Sequence, residues 1–192
     1  YTSKCVSEYT NCVLVGEGAD ELFGGYFKEL KDIADPHEKE RVARKLVDIA
    51  YNTALRRLDR SWLANSVHYR TPFLDPAVVA LSDTISMDLK VKYDKAQGRN
   101  VEKWILRKAM SKWLPDEITN RPKLRFAGGT GVDDIMAELT ADKVSKEEFE
   151  QNPKTGAGLE LNSPKELYYY RLFREHFPAS YENMVARWDP FK

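Results

Sequence analysis

The chain has 192 residues, 42% hydrophobic and 31% charged, enough to bury a core without disulfides or a structural metal, which excludes disorder and collagen-like repetition. Lysine plus arginine and aspartate plus glutamate number 30 each, so the formal net charge is zero and no general attraction to nucleic acid follows. There is no run of about eighteen apolar residues, and Tyr1-Thr2-Ser3-Lys4 lacks a signal-peptide pattern, so the expected location is the cytoplasm with no membrane partner.

Cys5 and Cys12, seven apart, fit reduced, half-buried thiols better than a zinc site or a disulfide framework. His37, His68 and His176 are too scattered for a His-rich metal site. Cys12-Val13-Leu14-Val15 reads as a short buried strand stopped by Gly16. After it the pattern is helical, so the expected class is mainly α with one strand at the beginning, in one compact unit.

Asp35-Pro36-His37-Glu38 gives a cap, a proline at the first helical position and an acid in the first turn. It predicts a helix through about Leu58 with Val42, Leu46, Ile49 and Ala50 inward. Asp75-Pro76 repeats the device before Val78, Leu81 and Ile85; Asn100 precedes Val101, Trp104, Ile105 and Ala109 at helical spacing. Ser163-Pro164-Lys165-Glu166 opens a fourth helix with Leu167, Tyr170, Phe173 and Phe177 on one face, ended by Pro178. Residues 154–162, with Gly156 and Gly158, read as a mobile surface loop. A lone strand cannot satisfy its own backbone, so it is expected to join a sheet whose other strands lie outside the chain or leave no recognisable pattern in it.

Two stretches break the helical rhythm, residues 16–26 and residues 120–131 with Arg121-Pro122-Lys123 and Gly128-Gly129-Thr130-Gly131. The first puts glycines and three carboxylates, Glu17, Asp20 and Glu21, at the carboxyl end of a strand, where α/β sheets bind ligands. It is neither the dinucleotide fingerprint, since Glu21 stands at the third glycine, nor an ordinary P-loop. Acids beside phosphates call for Mg²⁺ or a base role; an acidic helix start, favoured on dipole grounds alone, is the competing explanation. Spacing leaves both open.

Val15-Gly16-Glu17-Gly18-Ala19-Asp20-Glu21-Leu22-Phe23-Gly24-Gly25-Tyr26 closely resembles the Ser-Gly-Glu-Gly-Ser/Ala-Asp-Glu-Leu-Phe-Gly-Gly-Tyr segment of glutamine-dependent asparagine synthetases. Three more blocks agree in order: Asp59-Arg60 with Arg70-Thr71-Pro72-Phe73-Leu74-Asp75; Lys103-Trp104-Ile105-Leu106-Arg107-Lys108-Ala109; and Leu114-Pro115 through Arg121-Pro122-Lys123 to Phe126. The resemblance implies a ligase: aspartate attacks the α-phosphate of ATP, pyrophosphate leaves, and ammonia derived from glutamine displaces AMP from β-aspartyl-AMP. By the same resemblance Val15 and Gly16 hold ATP through their backbone. Glu17 is the catalytic carboxylate needed for formation of the intermediate and assisting the ammonia step, Asp20 lies near pyrophosphate and Mg²⁺, and Lys123 is the catalytic lysine that neutralises departing pyrophosphate and binds the nucleotide.

Val15 replaces the family's serine, and His68-Tyr69 stands where Glu-Ala precedes the arginine. His68 is read as a packing or hydrogen-bonding substitute; Arg70 and Arg107 either face the acids or hold helices together. The family's Ser-Gly-Gly-x-Asp-Ser ATP loop and its N-terminal cysteine nucleophile are not among the 192 residues. The resemblance therefore implies that residues 1–192 are the C-terminal portion of a synthetase domain, inactive alone. Residues 1–10 would end a preceding helix, and the strand would belong to a parallel α/β sheet of adenine nucleotide α-hydrolase-like type. Competing readings are a β-lactam synthetase or peptide cyclase, disfavoured because β-lactam enzymes carry tyrosine at the Glu17 position, and a non-catalytic helical scaffold. Expected partners are aspartate, ATP and ammonia or glutamine, without nucleic acid; a homo-oligomer is compatible with the sequence.

Overall fold

Local caps decide where most helices begin. The computed structural model describes residues 1–26, 30–124 and 129–187, so Phe126 and Gly128 lie outside the described residues. They divide into two compact units, Tyr1–Lys123 and Leu124–Lys192, where one was expected; no shift in composition marks the boundary at Lys123.

In the first unit, α1 (Thr2–Ser7) is the helix expected near the start, and β1 (Cys12–Leu14) follows. β1 finds its partner within the chain: β2 (His68–Arg70) pairs with it in parallel, Cys12 opposite His68 and Leu14 opposite Arg70. Three residues are too few for an alternating pattern to announce β2. Nor is β1 buried as expected: Cys12 is exposed, Val13 half-buried and Leu14 75% exposed. Both cysteine thiols are exposed rather than half-buried.

After the short α2 (Ala19–Phe23), α3 (Pro36–Asp48) starts where Asp35 accepts from the His37 amide at 3.1 Å. A π-helical stretch, Tyr51–Leu55, leads into α4 (Arg56–Leu63), carrying helical structure past the expected end at Leu58. Val42, Ile49 and Ala50 are buried as predicted and Leu46 is half-buried; Leu30, Val42, Ala43 and Met87 form a core cluster. Asp75 caps α5 (Pro76–Asp83) through the Ala77 amide at 2.9 Å, but this helix is apolar on several sides, so Ser82 is buried while Leu81 is 60% exposed.

A hairpin overturns two expectations, a single strand and a helix start at Asn100. Following α6 (Met87–Lys90), β3 (Val91–Asp94) pairs antiparallel with β4 (Arg99–Glu102), Tyr93 opposite Asn100 and Lys92 opposite Val101. Asp94 accepts from the Ala96 amide at 2.8 Å and Gly98 takes φ +63°, turn chemistry that outweighs the helical spacing of Val101 and Trp104. Lys103, at φ +55°, then turns the chain into α7 (Trp104–Met110), and α8 (Asp116–Thr119) follows.

The second unit contains α9 (Val132–Lys143), α10 (Lys146–Gln151) and α11 (Pro164–His176). Ser163 caps α11 through the Glu166 amide at 3.3 Å; Leu167 is buried, and Phe173 stacks on Phe177 with centroids 4.9 Å apart. The loop at 154–162 is tied down: Gly156 donates to the Tyr170 hydroxyl and Ala157 to the Glu182 carboxylate, each at 2.9 Å.

Candidate active site

The glycine-rich turn after β1 is shaped by contacts that only glycine permits. Gly18 has φ +95°, and a Cβ there would lie 2.5 Å from Leu74 Cδ2. At Gly25 a Cβ would fall 1.8 Å from Asp20 Oδ1, while the Gly25 amide donates to the Asp20 carbonyl at 2.7 Å. The double glycine thus lets the chain close over the Asp20 carboxylate.

Two lysines meet that carboxylate. Lys123 donates from Nζ to Oδ2 at 2.8 Å, a hydrogen bond spanning 103 residues of sequence, and Lys103 Nζ lies 2.9 Å from Oδ1. All three side chains are about one-fifth exposed, at 23% for Asp20, 20% for Lys103 and 19% for Lys123. Burial alone would raise the Asp20 pKa; the Lys123 hydrogen bond and the Lys103 charge outweigh it and hold the carboxyl below its ordinary value.

Glu17 responds the other way. Burial, then the charges of Glu21 and Asp20, push its pKa above the ordinary carboxylate value, with Arg57 and Lys123 offsetting only part. Glu21, 4% exposed, accepts from the Tyr26 hydroxyl at 3.1 Å, and burial beside these acids drives the Tyr26 phenol pKa upward. A reluctant carboxylate beside a fixed pair of ammonium groups is suited to hold or take a proton while anionic charge is neutralised next to it.

The structure therefore brings Glu17, Asp20 and Lys123 together. Val15 and Gly16 lead straight into them; the Val15 amide is used by the sheet, donating to the Arg70 carbonyl at 2.9 Å, and the space where a Gly16 Cβ would stand is open. His68 and Arg70 lie apart on β2, both exposed, around a surface hollow with Asp59 and Thr71; His68 is not packed. Arg107 holds elements together: it donates to the carbonyls of Glu102 and Thr119 at 2.7 Å and of Arg121 at 2.8 Å, fixing the backbone two residues before Lys123.

Lys103 was missed as a site residue although it opens one of the resembling blocks. Its reach to Asp20 depends on a left-handed backbone that a lysine does not announce. Among the described residues no group of three or more His, Cys, Asp or Glu could hold a metal. Asp20 fits Mg²⁺ only as a single carboxylate ligand to an ion carried on phosphates, which Mg²⁺ accepts because it retains water and substrate oxygens.

Comparison with known proteins is consistent along most of the chain. The asparagine synthase family model matches residues 34–191. Glutamine-hydrolyzing asparagine synthetase 1 of Saccharomyces cerevisiae is 32% identical over 200 residues, covering 97% of this chain and 34% of that protein. The Arabidopsis thaliana enzyme 1 is 34% identical, covering 86% and 29%, and that of Cricetulus griseus 30% identical, covering 98% and 34%. The chain spans about a third of the length of these curated relatives.

Proposed function

The chain belongs to the asparagine synthase family, and we propose on that premise that it supplies the carboxylate and lysine side of a site that makes asparagine from aspartate, ATP and glutamine-derived ammonia. The observation that carries the reading is Asp20 held between Lys103 and Lys123 beside a Glu17 whose burial favours its protonated form.

In this reading an aspartate β-carboxylate oxygen attacks the α-phosphorus of ATP. The bond from that phosphorus to the bridging oxygen breaks, and pyrophosphate leaves with the electron pair. The Lys123 and Lys103 ammonium groups face the charge that accumulates on the leaving group, and Asp20 keeps both in place between turnovers. Ammonia then attacks the acyl carbon of β-aspartyl-AMP, the bond to AMP breaks, and Glu17 accepts the proton that the new amide nitrogen sheds. Mg²⁺ bound to the phosphates, with Asp20 as one ligand, would neutralise further charge. Val15 and Gly16 offer backbone at the open edge of the turn for the nucleotide.

The parallel β1–β2 pair with flanking helices supports placement at the end of a parallel sheet of adenine nucleotide α-hydrolase-like type. The Ser-Gly-Gly-x-Asp-Ser ATP loop would come from sequence outside these 192 residues, which alone would not turn over. Aspartate- and ATP-dependent pyrophosphate and asparagine formation tests this in the complete protein. Aspartate should be the preferred carboxylate in a panel including β-lactam precursors, and Glu17→Ala should abolish asparagine formation. Failure with aspartate, or unchanged synthesis by Glu17→Ala, would overturn the reading.

A further inference from the structure

The Asp20–lysine cluster has one fixed member and two movable ones. Asp20 sits in the first turn of α2, its Oδ1 packed against Gly25, where a Cβ would fall 1.8 Å away, and the Gly25 amide holds the Asp20 carbonyl at 2.7 Å. The two ammonium groups ride on long flexible stems. Lys123 bonds Oδ2 at 2.8 Å, whereas Lys103 Nζ meets Oδ1 at 2.9 Å as a charge contact without the alignment of a hydrogen bond. Oδ1 is therefore a buried anionic oxygen whose hydrogen-bonding capacity is unused among the described residues. Both lysines face the same carboxylate, and Glu17 and Glu21 place two more acids on the same turn.

We propose that Asp20 makes this site selective for pyrophosphate groups that arrive with Mg²⁺: it occupies Lys103 and Lys123 as an internal counter-ion and frees them only when its carboxylate is engaged by the divalent ion that the anion carries. The proposal rests on the reading that both lysines face pyrophosphate, and it adds which form of the ligand they accept. A free polyphosphate would have to draw the ammonium groups off Asp20 and leave that carboxylate unanswered beside phosphate oxygens. These are like charges at short range in a site about one-fifth exposed, where water screens them poorly. With Asp20 engaged by a dication, the same displacement leaves no charge unpaired, and a hard carboxylate oxygen without a hydrogen-bond donor suits that role. Two lysines with no carboxylate between them would show the opposite preference, because the free anion carries more negative charge than its magnesium complex.

Titration calorimetry of the chain with inorganic pyrophosphate, in EDTA and in excess magnesium chloride, tests the proposal without requiring synthesis. The parent chain should bind about tenfold or more tightly with Mg²⁺ than in EDTA, a comparison that needs no variant to fold. Asp20→Asn should gain about tenfold or more in EDTA and lose the preference for Mg²⁺. Adding Lys123→Met should remove that gain, which ties it to this cluster rather than to lysines elsewhere. In urea unfolding, pyrophosphate in EDTA should raise the midpoint of Asp20→Asn and leave that of the parent in place, whereas a purely structural Asp20 would leave the metal preference untouched. The proposal is overturned if the parent binds equally well or better in EDTA, if it binds in neither condition, if Asp20→Asn keeps the parent's metal dependence, or if the double variant keeps the gain. Asparagine synthesis by the complete protein beside equal binding in EDTA would remove the latch and leave the proposed reaction standing; the predicted metal dependence beside failure with aspartate would do the reverse.

Discussion

Asp20 and Glu17 stand three residues apart, and the same neighbourhood moves their carboxyls in opposite directions. For Asp20 the folded pKa lies below 3.8, so its contribution to stability is complete above that pH and is lost as pH falls through the lower folded value. For Glu17 the folded pKa lies above 4.5, so its ionisation costs stability above that folded value, and the cost disappears as pH falls toward 4.5. Urea unfolding should therefore find Glu17→Gln more stable than the parent chain at pH 7 and equal to it below pH 4.5; a constant difference would contradict the shift. Asp20→Asn leaves two ammonium groups, each about one-fifth exposed, facing each other without their carboxylate. It should cost about 1–3 kcal/mol in the same assay at neutral pH, and more than Lys123→Met, which leaves Asp20 paired with Lys103.

At the scale of elements, the turn and the arginine behind Lys123 set the geometry. Gly25→Ala would drive a methyl group into Asp20 Oδ1 and should destabilise by about 1–3 kcal/mol, whereas alanine at Gly16, where nothing lies within 4 Å, should be tolerated. Arg107→Met removes three bonds to carbonyls, so the 119–121 backbone should loosen. Amide hydrogen exchange should then rise around Thr119 and Asn120 while the hairpin stays protected; uniform exchange would remove Arg107 from the positioning of Lys123.

The same elements explain what the sequence revealed. Helix starts at Asp35, Asp75 and Ser163 were legible because the cap and the amide it binds lie within three residues. β2 and the β3–β4 hairpin were not, because pairing partners up to 56 residues apart leave no local trace in three- or four-residue strands. Glu17 and Asp20 stood out by sharing one turn, Lys123 by its resemblance to a family position. Lys103 was hidden because its direction follows from the left-handed residue between β4 and α7.

For the whole molecule, balanced charge conceals an arrangement in which like charges gather locally: three acids on the turn after β1, two ammonium groups closing on one of them. This cluster lies within the unit Tyr1–Lys123, while in Leu124–Lys192 the buried Glu182 binds the 154–162 loop and pairs with Arg174 at 3.1 Å. Among the described residues no helix is long and apolar enough to cross a membrane. The chain spans about a third of the length of the curated relatives it matches. The most direct measurement is aspartate-dependent pyrophosphate release by the complete protein carrying Lys123→Met. The account predicts a fall of about a hundredfold or more with the fold intact; a rate within about twofold of the parent would contradict it.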